Sequence, residues 1–277
     1  MALDTTGVKR LQEIAKKMRV DIVTNLHKVQ TGHPGGSLSA VEILTVLYFS
    51  QMKIDCNTPD CPDRDRFIAS KGHCAPVVYT TLCEKGYFPK EELGNLRQLG
   101  CMLQGHPDMK RTPGVDMSTG SLGLGLSVGI GMALSARQDK KDYYTYVLLG
   151  DGELQEGQIW EAAMAAPNFG LNKLIAIVDN NGVQLDGTIN EIMPLGNIAA
   201  KFSAFGWNVI EADGHDISSL DAAFDKAKKH QAGPSVIIAK TVKGKGVSFM
   251  EGKNEWHGKA IPDDLFAKAM VELGGGK

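Results

Sequence analysis

No run of the sequence reaches the ~18 apolar residues of a membrane span. Its first stretch, MALDTTGVKRLQEIAKKM, is charged and helix-like and lacks the apolar segment of a secretory leader. A cytoplasmic protein without membrane contact is therefore expected. Charge of one sign is also missing: 30 Lys and Arg stand against 32 Asp and Glu, a net −2. Neither nucleic acid nor an anionic membrane is an expected partner. Cysteine is sparse, and Cys56, Cys61, Cys74, Cys83 and Cys101 form no C-x-x-C. Free thiols in a reducing cytosol are the plain reading; zinc ligation, or a disulfide between Cys56 and Cys61, is the alternative. There is no G-x-x-x-x-G-K-[ST], which excludes an ATP-binding P-loop, and no internal repeat or linker. With 277 residues and 43% hydrophobic content, one α/β domain is the simplest account.

The informative stretch is Val147 to Gly187, VLLGDGELQEGQIWEAAMAAPNFGLNKLIAIVDNNGVQLDG. Two apolar runs, Tyr144–Leu149 and Leu174–Val178, each lead into a polar turn, Gly150-Asp151-Gly152 and Asp179-Asn180-Asn181-Gly182. A helical pattern, Gln155 to Ala166, lies between, so the whole reads as a βαβ unit. Ligands of a parallel sheet bind outside the carboxyl ends of its strands. Both turns should therefore face one crevice.

Around this unit the alternation continues. A helix over Val8–Val29 ends at Thr31-Gly32-His33-Pro34-Gly35-Gly36, and Ser37 or Ser39 can cap a second helix through Ser50. Three glycines in that loop imply a close backbone approach, where a plain turn needs one. After the polar loop 53–64, Arg66–Ser70 reads as a strand and Lys71-Gly72-His73 follows its end, ahead of a helix over Ala75–Glu84. His73 thus sits at a strand-to-helix junction, a place that attracts anions, although a structural histidine is the plainer reading. A helix over Lys90–Leu99 precedes Gly105-His106-Pro107.

Five glycines interrupt the apolar run Ser118–Ser135, each costing a helix roughly 1 kcal/mol against alanine. Tight helix packing, across a subunit interface if one exists, would compensate. Further on, Leu195–Phe205 and Asp216–Lys229 read as helices, and Trp207–Glu211 and Ser235–Ala239 as strands. Loop 242–261, rich in Gly and Lys, is long enough to suggest a functional flap. A last helix spans Pro262–Leu273, and the GGGK tail is expected to lack structure. The sum is a doubly wound, mainly parallel sheet with helices on both faces.

Asp151 and the amide oxygen of Asn181, with a nearby backbone carbonyl, form a hard-oxygen half-shell that suits Mg²⁺ or Ca²⁺. Glycines beside Asp151 let a diphosphate lie against the main chain, and the following helix adds its positive end. Two ordinary strand-end turns are the bland alternative. GDG alone is a weak signal; GDG followed about thirty residues later by a strand ending in NN is a stronger one.

These residues resemble the thiamine-diphosphate motif GDG…NN, and the blocks TGHPGGSLS, SKGHCAP, GHPD, STGSLGLGLS, GDGELQEG and WHGK resemble transketolase in particular. The similarity covers essentially the whole chain but only the N-terminal half of a full-length transketolase, so the chain resembles the N-terminal subunit of a split enzyme. That resemblance implies thiamine diphosphate and Mg²⁺, with Ca²⁺ or Mn²⁺ as substitutes. The metal would sit on Asp151, the Asn181 side chain and the Val183 carbonyl. His73, Gly152, Asn181 and His257 would contact the diphosphate, and Gly120, Ser121 and Leu122 the aminopyrimidine side. His33, His73, His106 and His257 would surround the reacting sugar as catalytic imidazoles, which can shuttle protons near neutral pH. Glu156 would couple two cofactor sites across a subunit interface, where a first-turn helix charge is the equal alternative. His27, His215 and His230 receive no role.

By the same resemblance the reaction moves a two-carbon ketol unit from a ketose phosphate to an aldose phosphate, as from xylulose 5-phosphate to ribose 5-phosphate in the pentose phosphate pathway. The activating glutamate and the pyrimidine pocket would come from a C-terminal subunit in an α2β2 heterotetramer. Alone, the chain is expected to be inactive and to bind the cofactor weakly. Other readings remain: a thiamine enzyme such as deoxyxylulose-phosphate synthase or the α-subunit of a 2-oxo acid dehydrogenase, a non-catalytic cofactor-binding protein, or a ketol transferase for an unusual sugar.

Overall fold

The computed structural model describes residues 3–275; of the expected unstructured tail, Gly276 and Lys277 fall outside that range. Helix α1 (Thr5–Val29) starts where Asp4 accepts the Gly7 N–H at 2.7 Å and ends at Gln30, which adopts a left-handed conformation. Two short helices, α2 (Pro34–Leu38) and α3 (Val41–Val46), follow. Strand β1 (Arg66–Ala69) leads through a 3₁₀ turn at Gly72–Cys74 into α4 (Ala75–Lys85). Next come α5 (Gly125–Gln138), β2 (Thr145–Gly150), α6 (Gly157–Asn168), β3 (Leu174–Asn180), α7 (Ile189–Ile192) and α8 (Ile198–Ala204). Strand β4 (Asn208–Asp213), α9 (Ile217–Lys229), β5 (Ser235–Lys240) and α10 (Asp263–Glu272) complete the order.

All strand pairs are parallel, in the spatial order β1-β2-β3-β5-β4. Successive side chains of a strand point to opposite faces, and here both faces are apolar. Tyr146, Leu148, Ile175 and Ile177 pack with α1, α3, α4 and α9, whereas Val147, Leu149, Ala176 and Val178 pack with α5, α6 and α8. This two-sided burial turns β2 and β3 into near-continuous hydrophobic runs, each large side chain contributing about 1.5–3 kcal/mol. The doubly wound α/β fold expected from the sequence is the fold observed. Among the described residues no helix is long and apolar enough to cross a membrane, and all five cysteines are free thiols.

Several local expectations are corrected. The helix after His33 begins at Pro34, so neither serine caps it: Ser37 Oγ donates to the His33 carbonyl at 2.8 Å and Ser39 Oγ to Asp179 at 2.6 Å. Lys90–Leu99 is helical only as a 3₁₀ turn over Lys90–Asn95, because Arg97 takes a positive φ that no right-handed helix contains. Residues 118–124 precede α5 as a loop. The close packing its glycines implied is made within the chain: a Cβ on Gly125 would strike the Ser70 side chain and lie 2.8 Å from the Ser70 Cα, and one on Gly129 would strike the Val147 side chain, while Gly131 faces open space. Segment 242–261 is no free flap, since Val247, Met250, Trp256 and Ile261 are buried in the core.

Candidate active site

The carboxyl ends of β1, β2, β3 and β5 converge, and a buried ion pair ties them together. Lys71, just past β1, donates to Asp179 in β3, and also to the Gly36 carbonyl at 3.0 Å. Asp179 further accepts from Ser39 and Thr241. The Lys71 ammonium and these donors hold the Asp179 carboxyl below its ordinary range, against the opposing effect of burial. Beside the pair, Glu153 accepts from Ser70 and from the N–H groups of Gly123 and Gly150, the latter two at 2.9 and 3.0 Å.

Asp151 follows β2 and is almost wholly buried. Its oxygens accept from Gly152 N–H, at 2.8 Å, and from Gly182 N–H. Burial and the nearby Asp179 charge push its carboxyl up to about 6. A carboxylate so placed is stabilised by an added cation. Asn181 Oδ1 accepts the Val183 N–H at 3.1 Å, and the Val183 carbonyl accepts from Lys243 Nζ at 3.2 Å. One carboxylate, one amide and one carbonyl therefore lie at neighbouring strand ends, a hard-oxygen set that fits Mg²⁺. Gly152, expected beside a diphosphate, lies at this edge with its N–H donated to the adjoining Asp151 carboxylate.

Four histidines from four separate segments meet beside these turns. Ring centroids lie 5.7 Å apart for His33–His73, 6.0 Å for His33–His106, 5.5 Å for His33–His257 and 4.6 Å for His73–His257. Burial and neighbouring cations lower all four: His33 to about 4, His257 to about 3, with His73 and His106 also shifted down. Neutral imidazoles, each a donor and an acceptor, suit a polyhydroxylated ligand. Lys243 Nζ lies 3.0 Å from His257 Nδ1; an ammonium can only donate, so that nitrogen accepts.

The glycine-rich loop does make the close approach its sequence implied. A Cβ on Gly35 would lie 2.8 Å from the Trp256 carbonyl, and one on Gly36 3.0 Å from His73 Nε2. Gly120 packs under His106 at φ +147°, where a side chain is strained, and the backbone of Gly72 abuts that of Gly120. The Gly120-Ser121-Leu122 loop is thus placed beside His73 and His106. Glu156 is exposed at the start of α6 and makes no capping hydrogen bond.

Sequence reasoning missed Lys71, Glu153, Asp179, Arg97 and Lys243. Lys71 and Lys243 stood inside motifs already singled out, SKGH and VKGKG. Arg97, exposed and at φ +63°, lowers His33 and His106 by its charge.

A parallel α/β sheet whose strand ends carry a hard-oxygen half-shell, a buried lysine and four neutral imidazoles has the layout of a diphosphate-cofactor domain. Residues 10–276 match the family described as transketolase, thiamine diphosphate binding domain. The chain belongs to that family. It is 46% identical over 263 residues to the 6-deoxy-6-sulfo-D-fructose transketolase subunit SqwG of Clostridium sp. (strain MSTE9), covering 95% of this chain and 96% of that one. It is 42% identical to an apulose-4-phosphate transketolase subunit of Phocaeicola vulgatus, covering 96% and 94%. Against human transketolase the identity is 39%, over 98% of this chain but 43% of the relative. The transketolase of Pichia stipitis in complex with sedoheptulose 7-phosphate superposes with a TM-score of 0.91 at 32% identity, covering 95% and 40%. That of Campylobacter jejuni gives 0.91 at 34%, covering 96% and 43%. The chain thus spans nearly all of the two subunit relatives and about two fifths of the full-length enzymes.

Proposed function

We propose that this chain is one thiamine-diphosphate-binding domain and the N-terminal half of a two-chain transketolase, with Mg²⁺ as its metal. The convergence of His33, His73, His106 and His257 on the Asp151–Asn181 turns carries this reading. Asp151, the Asn181 side chain and the Val183 carbonyl would hold the metal. His73, Asn181, Gly152 and His257 would hold the diphosphate, joined by Lys243, whose ammonium is already aimed at the Val183 carbonyl. Burial and the Lys71 charge lower Lys243 to about 8, so it stays mainly charged at neutral pH and can neutralise an anion. Gly120, Ser121 and Leu122 would flank the aminopyrimidine. The bound cofactor supplies the carbanion-stabilising group for breaking a C2–C3 bond. The imidazoles orient the ketose hydroxyls and carry protons to and from its carbonyl oxygen. Glu156, exposed and uncapped, would meet a neighbouring subunit. The activating glutamate and pyrimidine pocket would come from a C-terminal subunit, in an α2β2 cytoplasmic assembly.

Two donor–acceptor classes follow. Xylulose 5-phosphate with ribose 5-phosphate is the general one. A specialised sugar is favoured by the two relatives matched almost end to end, named for 6-deoxy-6-sulfo-D-fructose and apulose 4-phosphate. Co-expression with a C-terminal transketolase half and assay of all these ketoses with Mg²⁺ and thiamine diphosphate separates them. The D151N substitution should weaken cofactor binding at least about 10- to 100-fold, the loss produced even by removing an indirect partner of a metal ligand. Full ketol transfer by the purified chain alone would overturn the split arrangement, and unchanged binding by D151N the metal site.

A further inference from the structure

His215, at the end of β4, touches none of the proposed ligands, yet it borders the segment that carries Lys243. The Val242 N–H donates to His215 Nε2 at 2.8 Å. A backbone N–H can only donate, so Nε2 is bare and the ring hydrogen sits on Nδ1, 2.9 Å from Glu42 Oε2. Glu42 is gripped in turn by both terminal nitrogens of Arg19. Arg19 Nε then returns to the same segment and donates to the Lys245 carbonyl at 3.1 Å. Between these two holds, the Gly244 N–H donates to the Gly35 carbonyl at 2.9 Å. Lys243 is therefore bracketed: the residue before it is fixed through its N–H, the residue after it through its N–H, and Lys245 through its carbonyl. Gly214 makes the bracket reachable, since a Cβ there would lie 2.9 Å from the Lys240 carbonyl.

We propose that the Arg19–Glu42–His215 chain is a positioning device that sets the Val242–Lys245 backbone, and through it aims the Lys243 ammonium into the diphosphate pocket. The inference rests on the reading of Lys243 as a diphosphate ligand. Arg19 comes from α1, Glu42 from α3 and His215 from the loop before α9, so three elements on one face of the sheet dictate the geometry of a group at its edge. Without the device Lys243 keeps its charge but loses its direction, and direction decides whether an ammonium reaches a phosphate oxygen or stays in water.

The test compares H215F and H215Q in this chain co-expressed with a C-terminal transketolase half. Phenylalanine keeps a flat ring and leaves Arg19 and Glu42 paired, so no buried carboxylate is stranded. Glutamine restores an acceptor near the position of Nε2. In H215F the Val242 amide should exchange with solvent roughly tenfold faster, the equivalent of one lost hydrogen bond, while amides of β5 are unmoved. Thiamine diphosphate with Mg²⁺, followed by equilibrium dialysis, should bind about tenfold more weakly, and H215Q should recover most of both losses. The proposal is overturned if H215F binds like wild type with Val242 still protected, or if exchange rises throughout the chain in both variants, which would make His215 a general support of the fold. If wild type paired with the C-terminal half itself binds no thiamine diphosphate, the reading of the site fails, and the exchange of Val242 alone decides the positioning role.

Discussion

Replacing Lys71 by methionine is expected to destabilise the chain more than any surface change, and the size of the effect can be worked from its surroundings. The Lys71 and Asp179 side chains are 1% and 0% exposed. K71M would leave the Asp179 carboxylate buried with only the Ser39 and Thr241 hydroxyls as partners, at a cost of about 3–5 kcal/mol. D179N would leave the buried Lys71 ammonium with only neutral acceptors, the Gly36 carbonyl and the new amide oxygen, a loss of similar order. Against a total stability of roughly 5–15 kcal/mol, either change removes a large share. The double variant K71M/D179N buries no charge. Its amide can still serve both hydroxyls, so its loss should be about 1–2 kcal/mol. A double-mutant cycle on urea midpoints should then show coupling of at least about 4 kcal/mol, the two single losses less that of the double variant. Additive losses, with the double variant as unstable as the two singles combined, would refute a direct interaction between the groups.

Two further outcomes follow. Folded His33 and His257 sit at about 4 and 3, below the ~6.5 of an unfolded histidine, so the unfolded chain binds protons more readily. Their contribution to stability is complete above about pH 6.5 and is lost as pH falls toward 4. Asp151, raised to about 6, acts with the opposite sign, so the histidine share is read by comparing wild type with H33N. Urea midpoints from pH 7.5 to 5 should fall more steeply for wild type, and parallel curves would sink the assignment. The glycines give a paired test by thermal melting. In G72A a Cβ would lie 2.7 Å from the Gly120 nitrogen, costing about 1–3 kcal/mol. In G131A it would meet nothing within 4 Å, and the helix should gain about 0.5–1 kcal/mol. Equal shifts in the two would contradict the packing described.

Strand ends were the legible part of the site. Apolar runs that stop at Gly-Asp-Gly and Asn-Asn mark where the sheet offers its carboxyl edge, and histidines beside glycines mark where backbone approaches closely. Partnerships across long separations were not legible. Nothing near Asp179 in the sequence points to Lys71, 108 positions away, and nothing singled out Glu153, which holds the N–H groups of Gly123 and Gly150. Loop 242–261 misled in the other direction. Its lysines and glycines look like a mobile surface, but Lys243 folds inward and Trp256 anchors the segment. Gly125 and Gly129 signalled close packing correctly, yet composition cannot tell a neighbouring subunit from the chain's own β1 and β2 side chains.

The segment from Lys243 to His257 is fastened to one pocket at both ends. The Lys243 ammonium and His257 Nδ1 stand 3.0 Å apart, the Gly252 N–H closes back on the Lys243 carbonyl at 2.9 Å, and Val247, Met250 and Trp256 fill the space between. Its length is consequently a fixed quantity. A residue added or removed inside it would turn one end out of register with the other, shifting the lysine and the imidazole together. Loop 53–64, exposed over most of its course and closed mainly by bonds among its own residues, carries no such constraint. Changes in chain length should accumulate there, while the lysine-to-histidine segment should accept new side chains at its surface but no change in count.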